Sequence, residues 1–323
     1  VTDYVYITGW FIGDDVDFGP LGLASTVPAG DDCKLSDIDQ GSSSTVAAGK
    51  RNGDVFFAKY DTDGKCRWAN SFGHTHTDKG TGIAFDSAGS VYLLGQYKRT
   101  VDFDPSNVGA AGNSVNSAAD SILKSNTGGG DTFDVFLAKY STNGEYEWVR
   151  RIGDSSDVRH EYGYGVAVDS SNDVYIVGRF KGSDVIFTGP GAISITLENL
   201  GDGEDDEAGG LVYKEDGFFA KYDTDGVPQW ANLIGNPDEF VQISGVAVDS
   251  SDDVYITGIA SGSTEIFDTT YGTPLKATAI SAGELHTCAL LENGEVKCWG
   301  AGGGGQLGQN SNADVGRGGG TAT

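Results

Sequence analysis

Asp134-Val-Phe-Leu-Ala-Lys-Tyr-Ser-Thr-Asn-Gly144, followed by Trp148 and Gly153, is the stretch from which the fold can be read. The same pattern stands without gaps at Asp54-Val-Phe-Phe-Ala-Lys-Tyr-Asp-Thr-Asp-Gly64, with Trp68 and Gly73. It stands again at Asp216-Gly-Phe-Phe-Ala-Lys-Tyr-Asp-Thr-Asp-Gly226, with Trp230 and Gly235. A second unit follows each copy: Gly82-Ile-Ala-Phe-Asp-Ser-Ala-Gly-Ser-Val-Tyr92, Gly165-Val-Ala-Val-Asp-Ser-Ser-Asn-Asp-Val-Tyr175 and Gly245-Val-Ala-Val-Asp-Ser-Ser-Asp-Asp-Val-Tyr255. The N-terminal Asp3-Tyr-Val-Tyr-Ile-Thr-Gly9 matches the end of that unit, and the full period is about 80 residues. Self-similarity at a fixed period marks a repeat architecture.

Each repeat reads as two hairpins. Segments such as Val55–Tyr60 and Val91–Gly95 are rich in β-branched and aromatic residues, as strands are. The Thr-Asp-Gly and Asp-Ser-x-x connections carry turn chemistry, because Asp and Asn bond their own backbone and Gly accepts positive φ. Two hairpins make a four-stranded sheet with two faces to bury. Stacking successive sheets face to face around an axis covers both, so the expected fold is all-β, a β-propeller of four-stranded blades.

The Asp-Val-Phe-x-Ala-Lys-Tyr, Gly-x-Ala-x-Asp-Ser and Val-Tyr-x-x-Gly elements resemble the so-called seven-bladed β-propeller (SBBP) repeat of secreted and surface proteins, over roughly residues 1–260. Unlike the compact family repeats, each blade here is interrupted at the same place, at roughly 20–53, 104–133 and 188–215. These insertions are rich in Gly, Ser, Asp and Asn, and they follow Val-Asp-Phe-like edges at Phe18, Phe103 and Phe187. They read either as loops that decorate the surface or as one functional side of the array. The most acidic piece, Gly201–Glu207, has the composition to recruit cations. Further on, Cys288-Ala-Leu, Val296-Lys-Cys-Trp-Gly300 and Gly305-Gln-Leu-Gly308 resemble a repeat of the regulator of chromosome condensation family, over about 277–316. One incomplete repeat does not form the surface that guanine-nucleotide exchange needs, so that activity is not expected. The expected organisation is an SBBP-like propeller at 1–270 and a partial repeat at 271–323, part of the same propeller. About four blades and a fraction are present, so either the chain is a fragment or neighbouring subunits complete its edges.

Composition narrows the function classes. The 323 residues carry 38% hydrophobic side chains, 50 Gly and only 7 Pro, which suits many short strands and tight turns. A formal net charge of −26 repels a phosphate backbone, so nucleic acid is not an expected partner. No apolar run approaches a membrane span of roughly 18 residues. The four cysteines, Cys33, Cys66, Cys288 and Cys298, fit two disulfides in an oxidising compartment. Cys288 and Cys298 flank Glu292-Asn293-Gly294, so a hairpin sets them opposite each other; Cys33 and Cys66 are the remaining pair. The Ser/Thr-rich insertions offer sites for O-glycans, and no Asn-x-Ser/Thr sequon occurs.

Catalytic signatures are missing: no Gly-x-Ser-x-Gly elbow, His-Glu-x-x-His or phosphate loop is found. His74-Thr-His76 is a lone pair that the other repeats lack, and it reads as an exposed loop. Asp61, Asp63, Asp223 and Asp225 resemble half of a calcium loop. Calcium wants six to eight oxygens and a distal acidic ligand, so hairpin turns are the better reading of these aspartates. Tyr60, Tyr140, Tyr222, Trp68, Trp148 and Trp230 recur in every repeat, which favours packing between blades over a sugar platform. The expectation is a non-enzymatic structural or interaction protein at the cell surface, a subunit of a filament or matrix that works by self-association. The alternative is a carbohydrate- or peptide-binding propeller that acts at its mouth or insertions. An enzyme is the third reading.

Overall fold

The computed structural model describes residues 4–13, 15–19, 33–36, 52–74, 76–104, 106, 121–125, 132–154, 159–200, 215–235 and 240–260 with their side chains, and the backbone of 204–205, 211–212, 277–282, 286–291 and 296–300. The architecture is all-β, and the repeats are blades of a β-propeller. The second blade runs Lys79–Phe85, Val91–Tyr97, Asp134–Tyr140, Tyr146–Gly153, each strand antiparallel to the next. The third repeats this order with Glu161–Val168, Val174–Phe180, Asp216–Tyr222 and Pro228–Ile234. Tyr4–Phe11, Asp54–Asp61 and Cys66–Phe72 are the second to fourth strands of the first blade. Val241–Val248 and Val254–Ala260 are the first two strands of a fourth.

The turns form for the reasons their sequences announce. Oδ1 of Asp86 accepts the N–H groups of Ala88 and Ser90, and Oδ1 of Asp169 and Asp249 do the same two and four residues on. The residue held at positive φ in these turns is Gly89, Asn172 or Asp252, the types that tolerate it best. In the other hairpin, positive φ falls on Gly64, Gly144 and Gly226. A bulge recurs after the lysine of every third strand, between Lys59/Tyr60, Lys139/Tyr140 and Lys221/Tyr222.

Blades bury their faces against each other. Phe57 and Phe72 of the first blade meet Phe136 and Tyr140 of the second, all fully buried. Each such side chain contributes on the order of 1.5–3 kcal/mol by leaving water. Val-Tyr-x-x-Gly ends in Gly because the backbones approach closely there. A Cβ at Gly178 would run into the Tyr162 carbonyl and the Phe218 ring, and one at Gly95 into the Lys79 carbonyl and Phe136.

A polar clasp joins the blades as well. Lys59 Nζ donates to the Thr142 carbonyl and hydroxyl, both at 3.2 Å, and Trp68 Nε1 donates to the same carbonyl at 3.3 Å. One repeat later, Lys139 Nζ reaches the Thr224 carbonyl and hydroxyl at 3.2 and 3.0 Å, and Trp148 Nε1 the carbonyl at 3.2 Å. The tryptophans therefore sit between blades, half-buried. Tyr140 and Tyr222 are fully buried, and Tyr60 is half-buried.

The insertions have more order at their base than their loop-like composition suggests. A short antiparallel strand pair stands at the start of each: Val16–Asp17 with Lys34–Leu35, Thr100–Asp102 with Ile122–Lys124, and Asp184–Thr188 with Ser194–Glu198. The third of these pairs with the outer strand of the blade before it, Ile152 opposite Phe187. Phe103 buries itself against Phe72 of the preceding blade. Glu204–Asp205 and Leu211–Val212 form a further small hairpin inside the acidic insertion. Ala277–Ala282, His286–Leu291 and Val296–Gly300 make a separate three-stranded antiparallel sheet.

Strand direction gives the blades two unlike sides. The tight Asp-Ser-x-x and Thr-x-Gly turns close every hairpin on one side. The insertions and the connections between blades all emerge on the other. No helix among the described residues is long and apolar enough to cross a membrane.

Candidate functional site

The insertion side gathers what the repeat leaves variable. Equivalent places at the end of the second strand hold Trp10, Gln96 and Arg179. At the start of the first strand they hold Lys79, Tyr162 and Gln242, and just before the third strand Gly53, Phe133 and Glu215. The Gly before the first set and the Asp after the third keep their residue type from copy to copy: Gly9, Gly95 and Gly178, and Asp54, Asp134 and Asp216.

Trp10, Lys79, Phe133, Tyr162 and Arg179, with Lys98, His160, Tyr164 and Phe240 beside them, form an arc of rings and cations. Lys79 Nζ lies 5.8 Å from the Trp10 ring and 5.9 Å from Phe133, and Lys98 Nζ lies 4.4 Å from Phe133. Phe133 meets His160 at 5.7 Å and Tyr162 at 6.1 Å, and its N–H donates to His160 Nδ1 at 3.0 Å. Tyr162 and Tyr164 lie nearly parallel, 13° apart with centroids at 6.2 Å. The Arg179 guanidinium covers Tyr162 at 4.7 Å and Phe240 at 5.2 Å and pairs with Glu215 at 2.6 Å. Burial raises the pKa of both tyrosine hydroxyls, so they stay protonated donors at neutral pH.

Beneath the arc lies a buried polar group. Asp134, which opens the third strand, holds Arg151 Nε at 2.5 Å. Glu161, which opens the next blade, is fully buried beside Asp154 and Asp134. Burial first, then the charges of Asp154 and Asp134, push its pKa well above the ordinary carboxylate range. Burial therefore favours the protonated form of Glu161. The positions before it and after it in the repeat are Asp78, which accepts the N–H groups of His74 and Lys98, and the apolar Val241.

The calcium candidates lie on the opposite side, in the turns. Asp61 Oδ1 accepts the N–H of Lys65 and Asp63, and its Oδ2 pairs with Arg67 at 2.7 Å. Asp223 accepts from Asp225, Val227 and Gln229. Asp63 and Asp225 are exposed turn residues. Among the described residues no three Asp, Glu, His or Cys side chains gather to hold a metal ion. Cys33 and Cys66 form a disulfide that ties the first insertion to the fourth strand of its own blade. The backbone register sets Cys288 opposite Cys298; their side chains lie outside the described residues. His74 and His76 are half-buried in a connection between blades, whereas an exposed loop was expected, because His74 N–H is drawn onto Asp78. Sequence reasoning missed the arc itself; its signal was the set of positions that differ between otherwise matching repeats.

Comparison with known proteins finds repeat-containing sequences among those similar to this chain. Residues 277–306 match the family model of the regulator of chromosome condensation (RCC1) repeat. An uncharacterized WD repeat-containing protein of Acanthamoeba polyphaga mimivirus is 24% identical over 212 residues, 66% of this chain. That match spans only 14% of the length of the viral protein. A crystal structure of an ACO/RPE65 chimera is similar over 77% of this chain and 43% of its own, at 10% identity and a TM-score of 0.31. The chain is a repeat protein of β-propeller type that carries an RCC1-like segment after its blades.

Proposed function

We propose that this chain is a non-enzymatic interaction protein of the extracellular space, built from SBBP-type repeats and acting as a structural scaffold. The observation that carries the reading is the division of labour between positions. The residues that recur, including the lysines, tyrosines and turn aspartates, are engaged in clasps, turns and cores. The residues that vary meet on one side, around the insertions. The Cys33–Cys66 bond supports an oxidising compartment. Assembly by strand addition between copies is the structural half of this proposal, and repeated addition builds a filament. Native-length protein tests both halves of the reading. Sedimentation and electron microscopy should find assemblies. Incubation with glycoside, ester and peptide libraries should give no turnover, and turnover of any of them would overturn the non-enzymatic half.

A second reading, a ligand-binding propeller, is favoured by one observation, the aromatic and cationic arc on the insertion side.

A further inference from the structure

We infer that the Cys33–Cys66 disulfide is a redox latch: a dithiol that reduces it releases the base of the first insertion while the blades stay folded. The inference goes beyond the scaffold reading and does not depend on it. It starts from a difference between equivalent places. Phe18, Phe103 and Phe187 stand at the same edge in the three repeats. The third-strand tyrosine donates to the carbonyl of the first two, Tyr60 Oη to Phe18 and Tyr140 Oη to Phe103, both at 2.8 Å. Each ring packs on the third-strand phenylalanine of its own blade: Phe18 on Phe56 at 4.7 Å, Phe103 on Phe136 at 5.0 Å and Phe187 on Phe218 at 5.3 Å. Phe103 and Phe187 are held from the other side as well, by Phe72 and by Ile152 of the blade before, and both are fully buried. Phe18 is only half-buried.

The disulfide supplies the hold that the other two insertions take from the blade before them. Cys33 occupies the place of Ser121, since Phe18 N–H donates to the Cys33 carbonyl as Phe103 N–H does to that of Ser121, both at 2.9 Å. Cys66 occupies the place of Tyr146 and Pro228, each opposite the tyrosine of the third strand. The bond therefore ties the insertion to the outer strand of its own blade. The rest of the attachment is slight. The strand pair has two residues a side, against three and five in the other insertions. Its core is Cys33, Ala58 and Ala69, with Phe18, Leu35, Tyr60 and Cys66 at the margin. The bonds from Phe18 N–H to Cys33 and from Asp15 N–H to Ser36 Oγ lie within the insertion base and do not fasten it to the blade. Release proceeds by thiol–disulfide exchange. A thiolate of the dithiol attacks Cys66 Sγ, because Cys66 is half-buried and Cys33 only 8% exposed. Cys33 leaves as a thiolate and takes a proton. The second thiol of the dithiol then displaces Cys66 as its thiol and closes the dithiol's own disulfide, so two electrons and two protons pass to the protein. Lys34 and Lys65 adjoin the two cysteines in a chain of net charge −26, and neighbouring cations favour the thiolates that enter and leave.

Dithiothreitol is the probe, added without denaturant to the whole chain, and hydrogen exchange read by peptide mass spectrometry is the measurement. Reduction should speed exchange in Val16–Asp17 and Lys34–Leu35 at least roughly tenfold. The strand pairs of the second and third insertions and the strands of the blades should keep their rates. Cys33→Ser combined with Cys66→Ser should show the fast exchange without dithiothreitol and no response to it. Cys288→Ser combined with Cys298→Ser should respond as the parent chain does, which assigns the effect to the first pair. Oxidised glutathione, added after dithiothreitol is removed, should restore the slow exchange. Unchanged exchange when alkylation shows both Cys33 and Cys66 to be reduced would overturn the latch, and so would a bond that dithiothreitol cannot reach until urea is added. Faster exchange throughout the blades would overturn it too, since the bond would then hold the whole fold and not the insertion.

Discussion

The clasp between blades can be tested by a double-mutant cycle on Lys139 and Thr224. The Thr224 hydroxyl lies 3.0 Å from Lys139 Nζ and 3.1 Å from the Tyr92 hydroxyl, so it serves two groups of the preceding blade. The Lys139 side chain is only 10% exposed, and its charge is opposed by burial but held by Tyr92 and Glu147. Thr224→Val keeps the shape and deletes both contacts. A net hydrogen bond contributes about 0.5–1.5 kcal/mol, and one to a charged group about 1.5–3 kcal/mol. The backbone carbonyl of Thr224 still accepts from Nζ at 3.2 Å in the variant, which puts the loss near the lower end. Thr224→Val should therefore cost about 2 kcal/mol, and Lys139→Met should couple to it by about 1–2 kcal/mol. Urea unfolding, followed by tryptophan fluorescence with m held under scrutiny, reads both quantities. Thr142 is the internal control. It lies on the same hairpin as Lys139 but serves Lys59 of the blade before, so Lys139→Met with Thr142→Val should be additive within about 0.5 kcal/mol. Coupling of Lys139 to Thr142 in place of Thr224 would refute the assignment of the clasp to neighbouring blades.

Gly178→Ala should destabilise by about 1–3 kcal/mol or more, because the new Cβ meets the Tyr162 carbonyl and the Phe218 ring; Gly191→Ala, whose Cβ meets nothing but whose φ is +65°, isolates the purely backbone cost. Glu161 has a raised folded pKa, so it holds a proton that the unfolded chain releases near 4.5. Stability should accordingly fall as pH rises from about that value through the folded pKa, and Glu161→Gln should flatten this slope in unfolding measured across pH. Replacing Cys33 and Cys66 by Ser opens a loop with a sequence separation of 33 and should cost about 3–4 kcal/mol on the chain-entropy account. Peptide mapping of non-reduced protein should recover the Cys33–Cys66 link, together with one between Cys288 and Cys298, which the register sets face to face.

Much of this was open to the sequence alone. Three near-identical copies of Asp-Val-Phe-x-Ala-Lys-Tyr, with turn residues at constant offsets, determine strands, hairpins and the four-stranded blade, because those are local consequences of side-chain period and turn geometry. The pairing of Cys33, in the first insertion, with Cys66, on the strand beyond it, followed by elimination. What only the tertiary structure decided depends on residues far apart in the chain. Lys139 meets Thr224 across a blade boundary, and Phe187 pairs with Ile152 of the blade before its own. Composition read the insertions as loops because a hairpin of a few residues per strand is too short to show a period. The arc escaped for a related reason: Trp10, Phe133, Tyr162 and Arg179 come from three different places in the repeat and share no residue type. They converge because strand ends from three blades, alternating in direction, bring every second-strand end and every first-strand start to the same side.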